Sequence, residues 1–221
     1  MTDLLSSAQY QDLRQAVLVL RQGGVVAFPT ETYYGLAVDP FSSQALERLF
    51  QMKRRPVEKP VLVLIDQRSR LPLLAAEIPS QFHPLMERFW PGPLTLIFPA
   101  QPHLSPILTA GTGTIGIRIS SHPLARSLTA LAAGAITATS ANISGSPPAV
   151  SEQEVLAQFG SGLDWLVKAG PTHGSMASTI IAADQGGLRL VRSGVIPFSE
   201  IEEAGGVTAS LFKTFSGWPY R

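Results

Sequence analysis

Short apolar runs closed by Pro or Gly alternate along the chain with stretches whose apolar positions recur every three or four residues. That is the pattern of strands interleaved with amphipathic helices. The spacing of Leu13, Ala16, Val17 and Leu20 predicts a helix over 8–22, capped by Ser7 and stopped at Gly23-Gly24. The run 24–28 ends at Pro29 and predicts a buried strand; a polar loop, Thr30-Glu31-Thr32-Tyr33-Tyr34, follows it. Leu46, Leu49 and Phe50 predict a second helix, capped by Ser42 or Ser43 and barred by Pro56, with Lys53, Arg54 and Arg55 in its last turn. Strands are predicted over 61–65, 94–98, 135–139, 165–169 and 178–183, and a turn at 184–187 makes the last of these a hairpin with 188–192. Helices are predicted over 80–90, from Pro123 to a stop at Gly134, from a Ser151-x-x-Glu154 box to Gly160, and from a Ser199-x-x-Glu202 cap. Residues 99–113, rich in Pro, Gly and Thr, predict a loop.

Within this pattern 114–120 alternates without a slip. Ile115, Ile117 and Ile119 take one face, and Thr114, Gly116, Arg118 and Ser120 the other. Arg118 therefore projects away from the core beside a glycine, which leaves room for a ligand; an exposed face with a solvated arginine is the alternative.

Composition narrows the classes. The 221 residues, 45% hydrophobic, suffice for one α/β domain, and no internal repeat or linker divides them. A net charge of +1 with 15% charged residues is not the global footprint of a nonspecific nucleic-acid binder, so basic character is local. The absence of cysteine excludes disulfide scaffolds, thiolate metal sites and cysteine nucleophiles. With no signal-like N-terminus and no run of 18 apolar residues, a soluble cytoplasmic protein is expected, with no membrane partner.

The familiar catalytic motifs are missing: no phosphate loop, no dinucleotide fingerprint, no HExxH and no GxSxG. The four histidines are scattered. What remains is Lys53, Arg54, Arg55 and Lys59 between two predicted strands, and a loop of neutral donors after 139 that holds Ser140 and Asn142. Cations in a final helical turn also oppose the helix dipole, so their spacing alone does not decide for a site. As a set, cations and hydroxyls at strand ends suit anionic substrates held in place rather than a covalent protein intermediate.

Taken together, Lys53-x-Arg55 and Ser140-x-Asn142 resemble the KxR…SxN tetrad of the YrdC/Sua5 family. AFPTETYYGL, FQMKRRPVEKP, RFWPGPLTLI, IGIRISSHPLA, TSANISGSPP, ASTII and LVRSG follow in the family's order over roughly residues 10–198. The resemblance implies a YrdC-like α/β fold, a twisted mixed sheet with surrounding helices and a basic concave face, over 1–204, with 205–221 as a tail of unassigned role. It implies synthesis of threonylcarbamoyl-AMP and pyrophosphate from L-threonine, bicarbonate or CO2, and ATP with Mg2+, for a downstream threonylcarbamoyl-transferase complex acting on tRNA. By the same resemblance Lys53, Arg55, Ser140 and Asn142 are catalytic and, with Thr114 and Arg192, face the nucleotide. Thr30, Arg118 and Thr179 face threonine, and no metal ligands are assigned. Many family members carry a histidine where this chain has Leu64, and the longer ones an asparagine where it has Lys59. The alternatives are an RNA-binding maturation factor without its own catalysis, with weak RNA binding as a lesser possibility for the enzyme itself, and a carbamoyl-transfer module, for which the chain lacks the length and the cysteines.

Overall fold

The computed structural model describes residues 5–174, 176–184 and 187–206. Among them nine strands form one mixed sheet, with helices on both faces. In chain order the helices are α1 (Ser7–Arg21), α2 (Ser43–Lys53), α3 (Phe82–Phe89), α4 (Pro106–Thr109), α5 (Pro123–Leu131), α6 (Glu152–Phe159) and α7 (Phe198–Gly205). The strands are β1 (Val26–Phe28), β2 (Gly35–Ala37), β3 (Leu62–Ile65), β4 (Leu94–Pro99), β5 (Thr114–Arg118), β6 (Ala135–Ser140), β7 (Trp165–Leu166), β8 (Thr179–Asp184) and β9 (Gly187–Arg192), in the spatial order 7-1-2-6-3-5-4-8-9. Tight 3-10 turns cover Arg68–Leu73 and Gly160–Gly162.

Strand alternation sorts the side chains into two layers. Val63, Ile65, Leu96, Phe98, Ile115, Ile117 and Ile181 belong to the large core shared with buried residues of α2, α3, α6 and α7. On the opposite face α1 and α5 cover Val26, Phe28, Ala37, Leu64, Ile136 and Ala138, and Ile97, Ile180, Ala182 and Val191 form a small separate cluster on β4, β8 and β9; the site lies between the two.

Several element ends differ from the sequence pattern, each for a local reason. Ser6, not Ser7, caps α1, because only from Ser6 does Gln9 fall at the position that returns the hydrogen bond and closes a capping box. Helix α2 ends at Lys53. Arg54 turns left-handed at φ 51°, and the Arg55 N–H closes back on the Phe50 carbonyl. Arg55 precedes Pro56, whose ring disfavours helical backbone there, so Arg54 and Arg55 lie outside the last turn. Strand β2 was not expected: Gly35–Ala37 is too short to show a period, yet it pairs with β1 (Phe28↔Gly35) and makes 29–34 a hairpin loop. A Cβ on Gly35 would sit 3.1 Å from the Phe28 ring.

The expected loop 99–113 contains α4, with Ser105 as its cap. Ser151 caps α6 as expected, but the Glu154 carboxylate returns its bond to the Val150 N–H. Helix α7 begins after Pro197 without a side-chain cap, and Ser199 lies inside its first turn. Strand β7 stops at Leu166 because the next free N–H groups go to carboxylates: Lys168 to Asp12, and Ala169 and Gly170 to Glu152. The hairpin β8–β9 and the outward projection of Arg118 agree with the pattern, while 207–221, most of the expected tail, lies outside the described residues. No helix among the described residues is long and apolar enough to cross a membrane.

Candidate functional site

The uncovered part of the α1/α5 face holds a cavity of about 310 Å³. It runs across the sheet from the β8–β9 end, at Ser178 and Arg192, past Arg118 on β5 and Leu62 and Leu64 on β3, to the loop after β6. The β1–β2 hairpin loop supplies Thr30, Thr32, Tyr33 and Tyr34, and the segment after α2 supplies Arg55 and Lys59. Five cations line it, Lys53, Arg55, Lys59, Arg118 and Arg192, with no Asp or Glu among the lining residues.

Lys53 is the last residue of α2 and one of the most buried side chains, 1% exposed. Its Nζ donates to the carbonyls of Ser140 at 2.5 Å and Asn142 at 2.6 Å, and its own carbonyl accepts from the Ser144 N–H. Two of its three N–H donors thus brace the loop after β6, leaving the third for the cavity it lines. Burial and then the neighbouring Arg55 push its pKa down to about 7. In the braced loop Ser140 Oγ donates to Asn142 Oδ1, and the Asn142 amide donates to the carbonyls of Ile143 and Ser146. The donors of the expected Ser140-x-Asn142 pair are therefore committed to the loop's shape.

Arg55 lies over the Phe50 ring at 6.0 Å and donates to the carbonyls of Lys59 and Pro60, so its guanidinium is held where the loop returns to β3. Thr114 does not line the cavity. It stands on the same face at the start of β5, and the pairing Val63↔Ile117 sets it level with Pro60.

At the other end Arg118, 6% exposed, has Nη1 3.3 Å from Glu31 Oε1. Apart from that ion pair its guanidinium makes no hydrogen bond to the described residues, so the rest of its fork faces the cavity it lines. Thr30 is tied within its own loop, donating to the Tyr33 carbonyl at 2.7 Å and accepting from the Thr32 N–H. Arg192 donates to the carbonyl and hydroxyl of Ser178, whose Oγ also meets Thr95 Oγ1 at 2.9 Å. Burial, then Arg118 and Arg55, push the pKa of Arg192 down to about 10, so these cations stand close enough to repel one another.

Thr179 is not brought to the cavity. It is fully buried, with its Oγ1 donating to the Ile196 carbonyl and accepting from the Ile196 N–H, and its neighbour Ser178 lines the wall instead. Sequence reasoning passed over Ser178 and the pairing of Glu31 with Arg118; an acidic residue alone among hydroxyls in the β1–β2 loop was the available signal for the last. Tyr34 donates to the Gly170 carbonyl at 2.7 Å, and burial followed by Glu152 pushes its pKa up to about 12, which keeps it a neutral donor. No group of three or more metal-binding side chains occurs among the described residues.

Such a cavity can hold a polyanion at one end and a carboxylate at the other. The Sua5/YciO/YrdC family, described under telomere recombination, matches residues 18–194. The threonylcarbamoyl-AMP synthase of Pyrococcus abyssi is 37% identical over 191 residues, covering 86% of this chain and 56% of its own length. That of Bacillus subtilis is 39% identical over 202 residues, covering 91% and 58%. The chain thus spans somewhat more than half the length of these two relatives. The crystal structure of P. abyssi Sua5 complexed with L-threonine superposes with a TM-score of 0.85 at 36% identity, over 89% of this chain and 57% of that one. With the family match extending over most of its length, from α1 to the end of β9, the chain belongs to the Sua5/YciO/YrdC family.

Proposed function

We propose that the chain is an L-threonylcarbamoyladenylate synthase domain, converting L-threonine, bicarbonate or CO2, and ATP to threonylcarbamoyl-AMP and pyrophosphate. The observation that carries the reading is the cavity lined by five cations and no carboxylate, into which the Arg118 fork faces while its ion pair with Glu31 holds it from behind. Relatives named as threonylcarbamoyl-AMP synthases and one bound to L-threonine support it.

In this reading the α-carboxylate of threonine lies on Arg118, with Thr30 nearby. The free amine adds CO2 and releases a proton to give a carbamate, and a carbamate oxygen attacks the α-phosphorus of ATP as pyrophosphate leaves. Charge develops on phosphate oxygens, so the groups that matter most are fixed donors and cations: the third N–H of Lys53, Arg55 and Lys59, with Thr114 level with Pro60 at the same end, and Arg192 reaching the nucleotide from the β8–β9 side. Ser140 and Asn142 contribute by shaping the loop and, once the hydroxyl rotates, a neutral donor. The cavity lining holds no acidic set suited to a divalent ion, so magnesium belongs with the ATP triphosphate that carries it in, and no step here is routed through it. We further infer that the product is handed on in the cytoplasm to a transferase complex acting on tRNA. No observation favours the RNA-binding alternative, and the five cations of the site lie together in one cavity of small-molecule size.

The test is mass-spectrometric detection of threonylcarbamoyl-AMP, with pyrophosphate release that requires both threonine and bicarbonate. Release of orthophosphate alone, with no adduct, would overturn the reading.

A pH dependence follows from Lys53. Its lowered pKa means that the free protein loses this proton as pH rises through about 7. A triphosphate binds the cation and raises that pKa, so ATP affinity is full below about 7 and falls by at most about tenfold per pH unit above it. Calorimetry at pH 7.5 (about half a unit above that pKa) in buffers of different ionisation enthalpy is expected to show net proton uptake on ATP binding. Equal heats in all buffers would refute it.

A further inference from the structure

The buried pair at the amino-acid end contains a residue with no role so far. Glu31 does not line the cavity, yet its side chain is largely buried and faces Arg118 at 3.3 Å. Its other oxygen accepts from the Ser120 hydroxyl, and that Oγ in turn accepts from the His122 N–H at the start of α5. The loop bearing Glu31 is fixed on either side: Thr30 Oγ1 accepts from the Thr32 N–H and donates to the Tyr33 carbonyl, and the Thr32 carbonyl accepts from the Gly174 N–H. Glu31 Oε1 makes no aligned hydrogen bond. The carboxylate therefore acts on Arg118 by charge and leaves the N–H fork uncommitted.

That arrangement answers an electrostatic problem. Arg118, Arg192 and Arg55 are close enough for the first and last to depress the ionisation of Arg192, and burial removes the water that would screen them. Without a counter-charge, Arg118 would be driven from its neighbours and from its place beside Leu64 on β3. We propose that Glu31 is a positioning residue of the amino-acid subsite, holding the Arg118 guanidinium from outside the cavity so that its fork faces a substrate α-carboxylate. The proposal rests on the threonine reading above. Ser120 is the tether that keeps Glu31 in place, so the amino-acid subsite extends through a hydroxyl to the first turn of α5.

Two variants test it. Glu31→Gln preserves the shape and removes the charge, and is expected to raise the threonine KM at least about tenfold, with the ATP KM changed less than about twofold. Ser120→Ala keeps the charge and removes the tether; a rise of about threefold in the same direction is expected, and it decides the matter should Glu31→Gln not fold. Calorimetric titration with threonine is run beside the kinetics. Tighter threonine binding in Glu31→Gln would make Glu31 a mere competitor for Arg118, and parallel losses for ATP and threonine would make it a general structural residue. Either result, or no change, overturns the proposal. A wild-type protein that binds threonine but forms no adduct defeats the synthase reading while leaving the Glu31 effect measurable by titration. A wild-type protein that does not bind threonine defeats both.

Discussion

Replacing Lys53 by alanine is expected to lower threonylcarbamoyl-AMP formation by about a hundredfold or more, the loss of roughly 2.7 kcal/mol or greater that follows removal of one donor to a transition-state anion. The expected loss is large because this ammonium acts in two places. One N–H is available to the phosphates, and two hold the carbonyls of Ser140 and Asn142. Without them the loop that carries Asn142, Ser144 and Gly145 into the cavity wall loses its brace. The Asn142 carbonyl is also left without its buried donor, at a cost of about 1–3 kcal/mol, while the Ser140 carbonyl keeps the Asn142 N–H; removal of a cation that burial already disfavours offsets part of this. The variant should therefore melt at lower temperature as well as turn over slowly. Pyrophosphate release at saturating substrates, with thermal unfolding of the same preparation, checks both. Near wild-type turnover in a folded protein would reduce Lys53 to a dispensable brace.

Arg118→Ala should weaken threonine binding by about a hundredfold, the scale of losing a bidentate charged contact in a buried site. It should also cost stability of the order of 3–5 kcal/mol, because Glu31 would remain buried beside Ser120 with its cation gone. ATP binding, centred on the far end of the cavity, should change much less. Titration of each substrate into the variant distinguishes these ends. Equal weakening of both, or none for threonine, would remove Arg118 from the amino-acid subsite.

How much of this was legible follows from the range of the interactions. Alternation over 114–120 was enough to orient Arg118, since one residue's shift would have buried it among the isoleucines. A serine cap at Ser42 or Ser43, which the structure resolves to Ser42, and Gly160 as a stop are decided within a few residues and were readable to that extent. Contacts between distant segments were not. The Lys53–Ser140 bond joins residues 87 apart and the Ser120–Glu31 bond residues 89 apart, and neither leaves a periodic trace. The committed donors of Asn142 could not be foreseen, because only the folded loop shows that its amide serves its own carbonyls. The departure of Thr179 from the cavity has the same origin: its hydroxyl is claimed by Ile196, which the chain brings back beside β8.

The order of strands in the sheet bears on how the protein comes to be made. Strand β4 pairs in parallel with β8, with Leu94 opposite Thr179, and β9 closes the edge with Arg192. During synthesis the wall carrying Ser178 and Arg192 cannot form until the last strands have left the ribosome, although Lys53 and Arg55 emerged long before. Such distant pairings fold slowly compared with local ones, so the nascent chain exposes the unpaired edge of β4 for as long as β8 is missing. A truncation before β8 would therefore yield a chain with half an anion site and an adhesive strand edge, prone to association with other chains rather than to partial activity.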